Sequence, residues 1–196
     1  MITYQFSLLG LGEAIVTLFV VLDPFAVVPF YVTTAQRLPR EKRPGFLRTL
    51  IEAAVFMLLA FVIVGDYMLE LLGVTLNDFR IAAGVILLVY AVSSLFDIEI
   101  GAPRTPEEVE RQAIVPLATP LLAGPGSIST ALYFRYIYGY PIALISIAVN
   151  AVIAYVILYL GERLLRVLGR HGSLLIDKFM SLILAGFAVS LIRTSI

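Results

Sequence analysis

The sequence contains no cysteine, a single histidine and few charged residues, and each shortage excludes a class of protein. Without cysteine among its 196 residues, the chain forms no disulfide and offers no thiolate to a metal ion. With one histidine and no His-Glu-x-x-His motif, few pairs of nucleophile and general base can be drawn, so we expect neither an enzyme nor a cofactor. Charged residues make up 14% of the chain, against about 25% in an average soluble domain.

Apolar residues dominate instead, at 60% of the chain, which predicts a multi-span membrane protein with almost no soluble part. Uninterrupted apolar runs such as Ala53–Val64, without alternation, favour an all-α membrane protein. Lys plus Arg and Asp plus Glu number 14 each, so no nucleic-acid partner is indicated. The N-terminus lacks a basic segment and its apolar run continues past residue 30, which argues against a cleaved signal peptide.

Six runs reach the length of a transmembrane helix, about 20 residues, if the first is counted as a broken helix. They cover residues 8–35, 48–69, 79–96, 113–134, 141–161 and 174–192. Between the third and fourth, the sequence Thr105-Pro106-Glu107-Glu108 predicts the start of a short helix.

Basic residues concentrate in the first, third and fifth loops between the predicted spans. Those loops and their flanks hold Arg37, Arg40, Lys42, Arg43, Arg48, Arg104, Arg111, Arg163, Arg166, Arg170 and Lys178. The other side of the membrane receives only Arg80, Arg135 and Arg193. Because cytoplasmic loops carry the excess of Lys and Arg, we expect a multi-pass protein of the cytoplasmic membrane with both termini outside.

Two stretches with paired prolines interrupt the apolar runs, one in each half of the chain: residues 23–34 and residues 119–130. When one is shifted by 96 positions onto the other, Pro24 meets Pro120 and Pro29 meets Pro125. Three spans per half insert the halves from opposite sides. The pattern therefore predicts a 3+3 inverted repeat (residues 1–100 and 101–196) with discontinuous helices one and four, the common plan of secondary transporters. Two simple proline kinks are the alternative.

Each break is expected to expose backbone groups to a small solute. Unwound backbone at membrane depth is tolerated only where it faces protein or a cavity, so residues 24–29 and 120–126 should line a shared site. Gly124 and Gly126 let a ligand approach the backbone. A helix restarting near Ser127 would turn its first N–H groups toward a carboxylate. Carbonyl groups freed by the prolines would accept an ammonium group, so the site suits a small zwitterion.

The candidate substrate-binding residues belong to the two breaks and to one polar position in the fifth span. They are Asp23, Pro24, Pro29, Thr33, Thr119, Pro120, Gly124, Pro125, Gly126, Ser127, Ser129, Thr130 and Asn150.

Two of these side chains have equally plain structural interpretations. A carboxylate deep in a span is costly unless it is paired or protonated, which makes Asp23 the candidate proton carrier. Alternatively, Asp23 caps the helix that restarts beyond Pro24. Asn150 lies near the centre of the fifth span, where it binds the solute or forms an interhelical hydrogen bond.

Three segments together resemble the MarC family, named for multiple antibiotic resistance. They are Leu22-Asp23-Pro24 with Pro29-Phe30, the run Ile114–Thr130 with its Pro-Leu-Leu-Ala-Gly-Pro-Gly-Ser core, and Arg80–Leu87. The resemblance covers essentially the whole chain and implies six spans and transport of small neutral amino acids such as glycine and alanine. It also implies coupling to protons, with sodium as the alternative.

The first break departs from the family pattern Asn/Asp-Pro-x-Gly-Asn-x-Pro, because Ala26 and Val27 replace the Gly-Asn pair. The first break is therefore stiffer and lacks an amide side chain. The sequence is also compatible with two other functions. The chain could form a channel for small solutes or ions, or act as a non-transporting membrane partner of another protein.

Overall fold

The computed structural model describes residues 8–96, 111, 113–166 and 169–195, and that part of the chain is almost entirely helical. Its α-helices are α1 (Leu8–Leu22), α2 (Pro24–Ala35), α3 (Arg43–Leu72), α4 (Leu76–Leu95), α5 (Pro125–Tyr138), α6 (Tyr140–Arg166) and α7 (Gly169–Arg193). A 3-10 turn, Arg40–Lys42, precedes α3, and an irregular segment, Ala113–Leu122, precedes α5. The described residues contain no strand, which confirms the all-α prediction.

Among the described residues, two helices are long and apolar enough to cross a bilayer alone, over Arg40–Gly65 and Tyr140–Gly161. The pair α1–α2 meets the same criteria as one span bent by 44°, in agreement with the predicted broken first span. α4 and α7 contain shorter apolar stretches, Ile81–Ser93 and Ser181–Ser190. Length and composition thus support up to three spans. The six-span inverted repeat and its two halves stay predictions, and the helix start predicted at Thr105 lies outside the described residues.

Some helices extend beyond the predicted ends. Polar residues end the apolar run there, but the helix itself continues. α3 continues to Gly73, whose φ of 63° lies in the left-handed region that glycine adopts without strain. The connection between the predicted spans 48–69 and 79–96 is therefore only the short turn 73–75. α4 begins with a capping box, in which the Thr75 hydroxyl accepts from the Asp78 N–H at 3.1 Å. Hydrogen bonds that the Thr75 hydroxyl and backbone N–H donate hold the pKa of the Asp78 carboxyl below its usual value.

α6 is the central helix of the bundle and packs against α1, α2, α3 and α5. Its buried face includes Ile147 and Leu158. α4 packs most extensively against α7, and Gly84 permits the close approach, since an added Cβ would lie 2.8 Å from the carbonyl oxygen of Ala188. Outward faces carry large apolar side chains such as Phe56, which is 70% exposed. Lipid tails are as apolar as these side chains, so such exposure fits a membrane protein.

Candidate functional site at the two helix breaks

The first break lies at a single residue, Asp23, between α1 and α2. Its backbone is left-handed, with φ of 40° and ψ of 64°, a conformation that Asp and Asn tolerate better than most residues. The side chain caps α2, because Oδ1 accepts a hydrogen bond from the Ala26 N–H at 3.3 Å. The capping role that the sequence offered as an alternative is therefore confirmed. Asp23 is exposed in the structure.

The expected unwinding of residues 24–29 is wrong. α2 runs from Pro24 to Ala35 with Pro29 inside it. Pro24 occupies the first turn of α2, where an N–H would have no acceptor within that helix. Pro29 removes one helical hydrogen bond, to the carbonyl of Phe25. The helix continues because most of its residues around Pro29 are buried in the bundle, and tertiary packing supplies most of a helix's stability.

The second break is longer than predicted and begins before residue 120. Within the Ala113–Leu122 segment, Val115 (φ −130°, ψ 122°) and Thr119 (φ −136°, ψ 120°) are extended. Each precedes a proline, Pro116 or Pro120, through a cis peptide bond. Proline disfavours helical backbone at the residue before it, which explains why the chain leaves the helix at these two points.

The helix after this break begins at Pro125, two residues before the predicted restart near Ser127. Ser127 is buried, and its hydroxyl closes the turn. The hydroxyl accepts from the Gly124 N–H at 3.1 Å and donates to the Leu122 carbonyl at 2.9 Å. The Ser129 hydroxyl donates to the Pro125 carbonyl at 2.6 Å. Both serine hydroxyls thus already bond to their own backbone, and their role toward a solute stays a prediction.

The remaining hydroxyl candidates lie on α2 and α5, the helices that follow the two breaks. Thr33 in α2 is half-buried and donates to the carbonyl of Phe30 at 3.1 Å. Thr130 in α5 is half-buried, one turn beyond Gly126. The role of both side chains toward a solute stays a prediction.

The two breaks lie against each other. A Cβ added to Gly126, in the first turn of α5, would lie 3.1 Å from Cγ1 of Val21 in the last turn of α1. α2 likewise packs against the Ala113–Leu122 segment. The predicted repeat stays a prediction, and helix starts suggest a second way to match the two breaks. Pro24 and Pro125 share the role of starting a helix, whereas the 96-residue shift paired Pro24 with Pro120. In each break, then, a proline occupies the first position of the following helix.

The charges at the two breaks are opposite in sign. The N-cap residue of α5 is Gly124, which has no side chain to bond the first N–H groups of that helix. These groups carry the positive end of the helix dipole. The N-terminus of α2, in contrast, already has the Asp23 carboxylate. The first turn of α5 therefore lacks a side-chain cap, whereas the first turn of α2 has an acidic one. Among the described residues, no group of three His, Asp or Glu side chains could hold a metal ion.

Asn150 forms the interhelical hydrogen bond that the sequence offered as its alternative role. Its Nδ2 donates to the carbonyl of Ile15 in α1 at 3.1 Å and to that of Ser146 at 2.9 Å. Ile15 precedes Asp23 by two helical turns, or about 12 Å along α1, so Asn150 is held away from the first break. Its Oδ1 is buried, as is Oγ1 of Thr119, and neither atom has a hydrogen-bond partner within the described part of the chain.

Sequence reasoning missed the contacts that join the far ends of these helices. The Tyr138 hydroxyl donates to Oε2 of Glu13 at 2.9 Å, which links α5 to α1. Arg135 donates from Nη1 to the carbonyl of Val62 at 2.8 Å, which links α5 to α3. These partners lie 125 and 73 residues apart in the sequence, and no local pattern marks them.

A family model described as the MarC family integral membrane protein matches residues 9–196 of the chain. A UPF0056 membrane protein of Methanocaldococcus jannaschii is 31% identical over 189 residues, covering 92% of each chain. A UPF0056 membrane protein of Aquifex aeolicus is 30% identical over 190 residues, covering 92% of this chain and 89% of the other. The UPF0056 membrane protein YhcE of Escherichia coli is 28% identical over 195 residues, covering 91% and 88%. No solved structure matches the chain.

Proposed function

Because the chain belongs to the MarC family of integral membrane proteins, we propose that it is a secondary transporter of small neutral amino acids. Glycine and alanine are the expected substrates. Transport proceeds by alternating access around the paired helix breaks, with one half of the molecule rocking against the other.

The contact between the two breaks is the observation that carries this proposal. Val21 at the end of α1 lies against Gly126 at the start of α5, although the two residues are separated by about half of the chain. A single proline kink needs no partner, whereas two interrupted helices that face each other give a compact site lined by backbone. Transporters use this arrangement to bind small charged solutes.

The polarity of the breaks favours a zwitterion. The substrate carboxylate binds the first N–H groups of α5, since Gly124 leaves them without a side-chain cap. The substrate ammonium faces the exposed carboxylate of Asp23 and the last carbonyl groups of α1. Gly126 has no side chain, so Val21 packs closely against the backbone at the start of α5, and any larger residue at position 126 would push the two breaks apart.

The architecture that we propose is a 3+3 inverted repeat in the cytoplasmic membrane, with both termini outside. α4 and α7 take equivalent places as the third helices of the two halves, and their extensive packing against each other supports this assignment. The orientation rests on the distribution of basic residues. Because the chain has no native cysteine, single cysteines introduced at Arg40 or Thr75 test it directly through labelling by an impermeant thiol reagent.

Asp23 carries the coupling proton in this proposal, and sodium is the alternative coupling ion. A carboxylate within a span binds a proton or a cation when its charge is not otherwise compensated. Its hydrogen bond to the Ala26 N–H uses only one oxygen, at the long distance of 3.3 Å. The second oxygen stays accessible to a proton, a sodium ion or the substrate ammonium.

Uptake of labelled glycine and alanine into proteoliposomes tests the proposal. We expect saturable uptake that a proton gradient drives, and counterflow when the vesicles are loaded with unlabelled substrate. Gly126→Val should abolish both, because its side chain would collide with Val21. Gly12→Val is the matched control, since a Cβ at Gly12 meets no atom within 4 Å. Absence of saturable uptake under proton and sodium gradients alike would refute transport.

The same assay separates the two other functions. A channel would pass the solute without counterflow and without saturation at low concentration. A non-transporting membrane partner would show no flux and would tolerate Gly126→Val without loss of its association.

A further inference from the structure

α1 and α5 form an antiparallel seam that leads from the paired breaks to the opposite ends of both helices. At the break end, Gly126 lies against Val21. At the far end, a Cβ added to Gly10 would lie 2.9 Å from the ring of Tyr138. The α1 residues span about 16 Å between these contacts and the α5 residues about 18 Å, so the two helices stay side by side along the whole length.

The far end of the seam has its own apolar cluster, separate from the main core. Ala14, Phe134 and Ile142 are buried there, with Leu11 and Tyr138 packed against them. The main core instead includes residues from both breaks and from most of the other helices. A small cluster that is separate from the core can open locally without unfolding the bundle.

An exposed hydrogen bond joins α1 to α5 at this end of the seam. Tyr138 donates to the Glu13 carboxylate at 2.9 Å, and its ring stacks on Phe134 with the planes 9° apart. One turn earlier on α5, Arg135 donates to the carbonyl of the buried residue Val62 at 2.8 Å. The second bond is half-buried and fixes α5 to α3. The bond between α5 and α1 is therefore the one that water can compete for and that can break first.

We propose that Glu13 and Tyr138 form a latch that closes the α1–α5 seam and thereby shuts the paired breaks off from one side of the membrane. That side is the outside in the expected orientation. The latch opens when α1 separates from α5, while Arg135 keeps α5 on α3. The role of the latch in transport rests on the proposed function. Whether the Glu13–Tyr138 contact closes the seam is testable without a substrate.

Labelling of a single cysteine at the first break tests the latch. The chain has no native cysteine, so Ala26→Cys provides the only thiol, in the first turn of α2. In intact cells we expect an impermeant reagent to react slowly with this thiol from outside. Adding Tyr138→Phe, which removes the hydroxyl but keeps the ring, should accelerate labelling about five-fold, the factor that one ordinary hydrogen bond contributes to an equilibrium.

Tyr136→Phe is the matched control for the labelling experiment. Tyr136 lies on the same helix and is 78% exposed, so its hydroxyl should have no influence on the seam. Equal labelling rates in the Tyr138→Phe, Tyr136→Phe and unmodified backgrounds would overturn the latch. Thermal unfolding of each variant in detergent shows whether a change in labelling reflects opening of the seam rather than loss of the fold.

Cross-linking separates failure of the latch from failure of the transport proposal. In a Glu13→Cys/Tyr138→Cys variant, a short bifunctional thiol reagent should abolish glycine counterflow, whereas a monofunctional reagent on the same variant should not. If the unmodified chain transports and the cross-linked chain transports equally well, the latch is wrong. If the unmodified chain does not transport glycine or alanine, the proposed function fails, and the labelling of Ala26→Cys still decides whether the latch exists.

Discussion

Substitutions of Asp23 separate its structural role from its proposed role in transport. The residue caps α2 and adopts a left-handed backbone, and its carboxylate is the proposed proton and ammonium site. Asn preserves the capping oxygen and tolerates the backbone while removing the charge. Gly tolerates the backbone but removes both cap and charge. Ala removes both and also strains the backbone, so the three variants form a graded series.

The expected stability of each variant follows from the geometry. The capping bond is exposed and long, at 3.3 Å, so its loss costs about 0.5 kcal/mol, the low end of the range for caps. Placing Ala in left-handed backbone adds about 1–2 kcal/mol. We therefore expect Asp23→Asn to unfold within about 0.5 kcal/mol of the unmodified protein. Asp23→Gly should lose about 0.5 kcal/mol, and Asp23→Ala about 2 kcal/mol, a melting temperature lower by roughly 4–8 °C.

Concentrative uptake by the Asp23 variants should depend on whether the carboxylate charge is present, and not on the stability of the variant. Asp23→Asn should lose concentrative uptake driven by a pH gradient but retain exchange of glycine, because exchange moves no net proton. Thermal unfolding in detergent measures the first property, and uptake and counterflow in proteoliposomes measure the second. If Asp23→Asn keeps concentrative uptake with unchanged pH dependence, Asp23 is not the proton carrier. If Asp23→Ala is as stable as Asp23→Gly, the backbone argument is wrong.

Three further predictions concern single positions. Gly126→Ala should cost about 1 kcal/mol of stability because Val21 must move aside, and should raise the KM for glycine, whereas Gly12→Ala should do neither. Asn150→Leu should lower unfolding stability in detergent by about 1 kcal/mol through the loss of two membrane hydrogen bonds, with an unchanged melting temperature as the contrary result. The depressed pKa of Asp78 implies stability that is present above its unfolded pKa of about 3.9 and is lost as the pH falls through its lower folded value. Thermal unfolding between neutral and acidic pH should show that loss, and Asp78→Asn should lack this part of it.

The parts of the candidate site that could be predicted from the sequence are those that depend on proline and glycine. Proline lacks an N–H wherever it occurs, so helix interruptions near Pro24 and Pro120 followed from local chemistry alone. The length of each interruption did not follow. α2 continues through Pro29 because it is buried, and the second break widens because Val115 and Thr119 both precede prolines.

The roles of single polar side chains were harder to predict because each has more than one partner within reach. Ser127 was chosen as a solute-binding hydroxyl, and the bonds by which this hydroxyl closes the turn between Leu122 and Gly124 were not predicted. The alternative role of Asn150, an interhelical hydrogen bond, was correct, but its partner Ile15 was not predictable. Short side chains bond first to neighbouring backbone, and only the backbone path decides which neighbours are available.

The sequence by itself determined that this chain is an all-α membrane protein, that it belongs to a known family, and where along the chain its helices are interrupted. These properties depend on composition, on apolar run length and on the local chemistry of proline. Only the tertiary structure decided that the two breaks lie against each other, that Pro24 and Pro125 play the same role, and that Tyr138 reaches Glu13. Such contacts join residues more than 100 positions apart. They form when helices pack, and no local propensity specifies them.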